Sequence, residues 1–339
     1  MPLIAIENAY FYQSFEAISI MSTTSSYQTR SAVLFIIFNR PDTTFRVFAK
    51  IQETRPSKLY IAADGPRSDN TMDQEHCTEV RSVIDKIDWP CETKTLFRDK
   101  NLGCKYGVST AINWFFENEQ EGIILEDDCL PSNDFFRFCD SMLEKYRNDT
   151  RIRHITGCNL QHGKKWGSAS YYFSNNVHVW GWAAWNRVWQ QYDVELANYN
   201  EDEVEEQFSK IFPEPLLVES WTEIFAKMKR NEIDTWDYQL GIANFFNNGL
   251  CIIPNFNLIS NIGFGPNGTH TFSENDRNAN LSFEELPDVI VHPKFILPEK
   301  RADMFTWNAD FHIENRKKAK AKKEGMIKYQ LNKLFKLLK

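Results

Sequence analysis

No cysteine pair in this chain has Cys-x-x-Cys spacing, and no His lies nearby at zinc spacing, so a zinc finger or ribbon is excluded. The seven cysteines (77, 91, 104, 129, 139, 158, 251) are an odd number and read as reduced thiols of a cytoplasmic protein. No uncharged run approaches the ~20 residues of a membrane span. No basic segment followed by an apolar core marks a secretory signal at the N-terminus. Glycine (14) and proline (13) are too scarce for a fibrous or low-complexity chain. There is no excess of positive charge either. With 39 Lys+Arg against 46 Asp+Glu the net charge is −7, which argues against a nucleic-acid partner. An anionic ligand then needs a local site or a metal.

What is present is a globular composition. The 339 residues are 42% hydrophobic and 25% charged, with 26 Phe and 10 Trp, enough to build one large or two modest cores. Residues 1–30 end in a Ser/Thr-rich stretch and read as a flexible leader, with Met21 as a second possible start. From Ser31 the pattern changes. Ala32–Phe38 is a continuous apolar run suited to a strand buried on both faces, and Pro41-Asp-Thr-Thr suits a helix start. The grammar repeats: Lys58–Ala63 precedes Asp64-Gly-Pro and a polar helix to Ile87. Thr93–Arg98 then precedes Asn101-Leu-Gly103 and a helix through Val108–Phe116. Gly122–Leu125 runs into Glu126-Asp127-Asp128. Strands alternating with helices predict an α/β fold with a mostly parallel sheet, whose ligands bind at the carboxyl ends of the strands.

The second half is less regular. It shows a strand at Ile152–Thr156, an aromatic segment from Tyr171 to Trp185, an acidic helix around 201–209 and an amphipathic helix at Glu219–Lys229. A helix at Tyr238–Asn247 and a strand at Cys251–Ile253 follow. Asn261–His270 is a Gly/Asn-rich loop. No linker separates an independent domain, so this half reads as an extension packed on the same sheet.

Glu126-Asp127-Asp128 carries the strongest chemical signal. Three adjacent carboxylates at the end of a buried strand repel one another, and a divalent cation relieves that repulsion. Mn²⁺ or Mg²⁺ binds through one or two such groups while substrate phosphate oxygens complete the shell. The same tripeptide also suits a solvated acidic turn ahead of the helix near Asn133. Leu125-Glu-Asp-Asp128, Asp134-Phe-Phe136, Gly181-Trp182 and Trp236-Asp237-Tyr238 together resemble the GT-A fold glycosyltransferases. The likeness, over about residues 32–271, is to the N-acetylglucosaminyltransferase I family and its bacterial relatives.

The resemblance implies a Rossmann-like catalytic domain over residues 31–312, with 31–130 holding the nucleotide and 131–312 the acceptor. It implies an inverting hexosyl- or N-acetylhexosaminyltransferase using a nucleotide-diphosphate sugar, a UDP sugar in that family, and a glycan or lipid-linked acceptor. Asp128 would ligate Mn²⁺ (or Mg²⁺). Glu126 and Asp127 would face sugar and ribose hydroxyls, Asp64 would accept from the uracil N3–H, and Asn39 and Arg40 would lie near the nucleotide. Asp237 would be the catalytic base, although Tyr238 stands where the family has a second Asp. Lys105 is a candidate phosphate partner, Trp182 a candidate wall for a sugar ring, and His270 a candidate in a loop that closes over the diphosphate. Each has a plainer role open to it: helix cap for Asp237, surface Arg or Lys, core Trp, structural His. A nucleotidyltransferase is the alternative enzyme. It normally carries a Gly-rich basic loop after the first strand, where this chain has Asn39-Arg-Pro-Asp-Thr. A non-catalytic carbohydrate-binding protein would leave the acidic triplet unexplained.

Residues 316–339 carry ten Lys/Arg and one Glu, leaving an acidic remainder of −16. Ile327, Leu331, Leu334, Phe335 and Leu338 follow at helical spacing. The segment 313–339 reads as a basic amphipathic tail suited to an anionic membrane, or as a solubilising tail. The expected location is cytoplasmic, peripheral on the inner face of the membrane.

Overall fold

Six apolar residues, Ala32–Ile37, form strand β1, and all six are buried, as expected of a strand covered on both faces. The computed structural model describes residues 27–265 and 275–337. Pro41 opens helix α1 (Pro41–Thr54) in the first turn, where its missing N–H is no loss. The same step recurs through β2 (Lys58–Ala63), α2 (Thr71–Arg81, extended by a 3-10 turn at Ser82–Lys86), β3 (Glu92–Phe97), α3 (Gly103–Asn118) and β4 (Glu121–Glu126). β4 turns directly into β5 (Cys129–Pro131), followed by α4 (Asn133–Tyr146), β6 (Ile152–Thr156), β7 (Tyr171–Ser174), β8 (Trp182–Trp185) and α5 (Asn186–Trp189). The chain continues through α6 (Glu201–Ile211), α7 (Pro215–Lys229), α8 (Asp237–Phe246), β9 (Leu250–Pro254), β10 (Ile259–Asn261), α9 (Lys300–Phe311) and α10 (Ile313–Leu337).

One eight-stranded sheet has the order β3-β2-β1-β4-β8-β6-β9-β7. β3, β2, β1 and β4 are mutually parallel. β8 is antiparallel to both β4 and β6, β9 runs parallel to β6, and β7 reverses again. The result is a mostly parallel, Rossmann-like α/β sheet flanked by helices. The wedging of β8 between β4 and β6 is not apparent from chain order. A two-stranded antiparallel sheet, β10 with β5, follows the end of β4 and carries residues 262–265 back over it.

Alternate strand residues enter different cores, as the two-residue period of a strand requires. Val33, Phe35 and Ile37 pack with α1 and α4, whereas Leu34, Tyr60 and Ile124 pack with α3, Trp182, Trp189 and Trp236. A third, aromatic core joins α6, α7, α8 and α9 around Phe208, Phe212, Trp221 and Trp307. None of the seven cysteines is in a disulfide.

Both termini differ from expectation. Residues 1–26, with Met21, lie outside the described residues, but 27–30 are not loose. The Tyr27 hydroxyl and the Arg30 amide donate to Asp140 at 2.6 and 2.8 Å, tying this end of the expected leader to α4. At the other end α10 is one helix whose first turn is seated on α7. Ile313 is buried, Arg316 donates to Ser220 at 2.6 Å, and Lys317 pairs with Glu214 at 2.6 Å. Beyond Lys317 its described side chains are exposed. No helix among the described residues is long and apolar enough to cross a membrane.

Candidate active site

β4 lies between β1 and β8, so its carboxyl end opens at the middle of the sheet, and Glu126 stands in register with Ile36. Asp127 turns inward and is 2% exposed. It accepts from the Phe38 amide at 3.1 Å and from the Arg40 guanidinium. Asp128 accepts from the other arm of Arg40 at 2.9 Å. Among the described residues no hydrogen bond or ion pair engages the Glu126 carboxylate. Burial, then the charges of Asp128 and Asp127, push its pKa up to about 8, with Arg40 opposing and Asp237 adding. Burial also raises Asp127, against the pull of Arg40. Burial disfavours the Arg40 charge, but the two aspartates outweigh it and raise its pKa.

Asp237 arrives from a different element. It is the first residue of α8, where a carboxylate suits the helix dipole, and it accepts from Thr235 Oγ1 and from the Tyr238 amide at 2.9 Å. The helix start is fixed by stacked rings. Trp236 stacks on Trp182 at 5.8 Å, Trp182 on His154 at 5.0 Å, and Tyr192 donates to the Trp236 carbonyl at 3.0 Å. Because Trp182 pairs with Ile124 of β4, this stack holds Asp237 within electrostatic reach of Glu126. Cys104 lies close to both carboxylates, whose charges, after burial, raise its pKa.

The structure assigns several expected ligand contacts to other work. Trp182 is 1% exposed and therefore positions α8; it offers no open face to a sugar. Lys105 is 5% exposed, and two of its three ammonium donors are taken by Glu195 at 2.9 Å and Asn231 at 3.0 Å, so it serves the fold. The Asp64 oxygens already accept from the amides of Gly65 and Leu102, both at 2.9 Å, and from Asn101 at 3.0 Å. Asp64 thus braces the turn before α3, with three donors already on its two oxygens. Asn39 donates to Asp73 at 2.7 Å. Arg67 on the same carboxylate holds the Asp73 pKa down at about 2, so this trio latches β1 to α2. Asp127 faces the core and is not placed toward a ligand hydroxyl. His270 lies outside the described residues.

Two contributors were not singled out from sequence. A Cβ on Gly263 would lie 2.3 Å from Asp128 Oδ2 and 2.8 Å from Arg40 Nη1, so only glycine lets this strand of backbone close over the pair. Asp234 accepts from the amides of Cys104 and Lys105 and caps α3 across a long stretch of chain. Gly263 falls in the Gly/Asn-rich loop read from sequence, but its closeness to Asp128 and Arg40, like the reach of Asp234 to α3, comes from tertiary proximity.

Among the described residues no three His, Cys, Asp or Glu side chains group closely enough to hold a metal alone. What the cluster offers a cation below about pH 8, where Glu126 holds its proton, is one surplus negative charge, the carboxylates of Asp127 and Asp128 against the Arg40 guanidinium. That fits an ion that takes Asp128 and completes its shell with substrate oxygens.

No family model matches the chain, and no curated protein does. Solved structures do. One is an apo UDP-glucose pyrophosphorylase (TM-score 0.34, 10% identity, 68% of this chain and 93% of that one). Another is HddC from Yersinia pseudotuberculosis (0.30, 9%, 48% and 80%). A third is the 4-diphosphocytidyl-2C-methyl-D-erythritol synthase of Anaerococcus prevotii (0.30, 8%, 53% and 83%). At these values the likenesses assign nothing to this chain, and its fold class rests on its own topology.

Proposed function

We propose that this protein is a metal-dependent glycosyltransferase that moves a sugar from a nucleotide diphosphate to a hydroxyl of a glycan or lipid-linked acceptor, with inversion. The observation that carries the reading is the meeting of the Glu126-Asp127-Asp128 cluster with Asp237, a carboxylate from another element held in reach by the Trp182–Trp236 stack. Asp128 is the residue to hold Mn²⁺ or Mg²⁺, which when bound stabilises the charge of the departing diphosphate. Arg40 balances the cluster in the free protein and lies where diphosphate oxygens would come. Asp237 accepts the proton of the acceptor hydroxyl. That oxygen bonds to the anomeric carbon as the carbon–oxygen bond to the diphosphate breaks, its electron pair leaving with the diphosphate. We further assign the exposed part of α10, basic and carrying Met326, Ile327, Tyr329 and Leu331 at its surface, to an anionic membrane face.

The experiment is a thermal-shift screen of UDP, GDP and CDP sugars with and without Mn²⁺, followed by a transfer assay. A metal-dependent shift is expected in the wild type and not in Asp128→Ala, and Asp237→Asn should keep the shift while losing about 10²-fold or more in turnover. The reading fails if no nucleotide sugar binds or if Asp128→Ala behaves as wild type. Nucleotidyl transfer is the second arm, read as pyrophosphate release from a nucleoside triphosphate and a sugar phosphate. Against it, α1 begins only three residues after β1, which leaves little backbone to wrap a triphosphate.

A further inference from the structure

A cavity of about 250 Å³ lies at the seam between the sheet and the aromatic helical core, walled by α7, α8, α9 and the segment 176–178. Its wall includes Asp237, the one group it shares with the site described above. The remainder is of a different character. Trp221, Tyr238, Trp307 and Phe311 supply aromatic surface, and Asp310, paired with Arg277 at 3.0 Å, supplies a second carboxylate; no Lys or Arg is among its described lining residues. The indole N–H groups of Trp221 and Trp307 and the Nε2 of His178 are buried without a partner among the described residues.

We propose that this cavity is the acceptor subsite and takes one neutral sugar ring. The inference rests on the role assigned to Asp237 above. The lining carries two carboxylates and no cation of its own, and the nearby Arg277 is spent on Asp310, so the cavity disfavours an anionic ligand such as the donor diphosphate. Aromatic faces receive the apolar C–H face of a pyranose, while the carboxylates accept from its hydroxyls. The volume falls below the ~300–1,000 Å³ of drug-sized pockets, which suits a single ring and leaves the rest of a glycan or lipid outside. A ring seated here presents a hydroxyl to Asp237, the group within reach of the acidic cluster.

The test uses the full chain and saturation-transfer NMR with methyl glycosides of glucose, galactose, mannose and N-acetylglucosamine. Gly241 of α8 lines the cavity, and a Cβ there meets only Trp221 at 3.6 Å and Phe245 at 3.9 Å, ordinary contacts. Gly241→Ala, a helix-favouring change, therefore adds a Cβ without a backbone clash, and Gly241→Leu enlarges the added volume at the same position. At least one glycoside should show transfer with the wild type, and Gly241→Leu should weaken it about fivefold or more with no loss in Tm. Asp310→Ala, at the exposed rim, should weaken it as well, which keeps the test valid if Gly241→Leu folds poorly. Absence of any glycoside signal, or a signal unchanged in both variants, overturns the proposal. Nucleotide-sugar thermal shifts are read in parallel. If glycosides bind the cavity while no nucleotide sugar binds anywhere, the sugar site stands and its acceptor role, with the transferase reading, falls. If nucleotide sugars bind and no glycoside does, the cavity assignment alone fails.

Discussion

Arg40 donates one arm of its guanidinium to Asp127 and the other, at 2.9 Å, to Asp128. A single cation thus spans the turn at the end of β4, with the Gly263 backbone packed against it. The pair is mostly buried, so removing one partner leaves charge without compensation.

Arg40→Met should therefore cost about 3 kcal/mol in a chelated buffer, in the range for breaking a buried pair. Added Mn²⁺ should recover more stability in the variant than in the wild type. Denaturant titration with and without metal measures both. A loss below about 1 kcal/mol, or equal metal responses, would show that the cluster does not need a cation.

Glu126 gives a pH signature. Its folded pKa of about 8 lies above its ordinary 4.5, so the folded state holds a proton that the unfolded chain has released. The protein then binds more protons folded than unfolded between those values, and this contribution to stability is greatest below about pH 4.5 and falls as pH rises to about 8. Glu126→Gln lacks that fall. Its stability relative to wild type should rise by about 2–4 kcal/mol between pH 4.5 and 8.5, discounted from the full ~1.4 kcal/mol per pKa unit because the carboxyl is partly exposed. Parallel pH curves for the two proteins would refute the assignment.

Lys105 separates a structural from a ligand role. With its ammonium buried against Glu195 and Asn231, Lys105→Met should lower stability by about 1–3 kcal/mol. Nucleotide-sugar affinity, followed by calorimetry, should stay within about twofold of wild type. A tenfold loss of affinity at unchanged stability would restore the phosphate contact.

For α10, removal of residues 318–339 takes away the exposed basic segment and keeps the Arg316 and Lys317 contacts to α7. Flotation with vesicles containing anionic lipid should be lost in the truncated protein, while its Tm stays within a few degrees of the full chain. Flotation of the truncated protein equal to the full chain would sink the membrane assignment.

Much of this architecture was legible in one dimension. Ala32–Ile37, Leu59–Ala63 and Gly122–Leu125 are continuous apolar runs, and such runs, separated by amphipathic stretches, determine a parallel α/β half. The acidic triplet was visible because a strand run ending in three carboxylates is a local pattern. The roles of the polar residues were not visible. Lys105, Asp64 and Asn39 each follow a strand at the right edge of the sheet, but their partners Glu195, Leu102 and Asp73 are decided by packing. Trp182 reads from sequence as core first and as a sugar platform second, and β8 wedged beside β4 covers both faces of its ring with His154 and Trp236. Gly263 and Asp234 act across long stretches of chain, and no window of sequence contains both ends of such a contact. Periodicity and composition are properties of neighbours along the chain, and they determined the elements and the acidic strand end. Hydrogen-bond partners and burial are properties of neighbours in space, so only the tertiary structure decided which charged groups are spent on the fold and which stay available for chemistry.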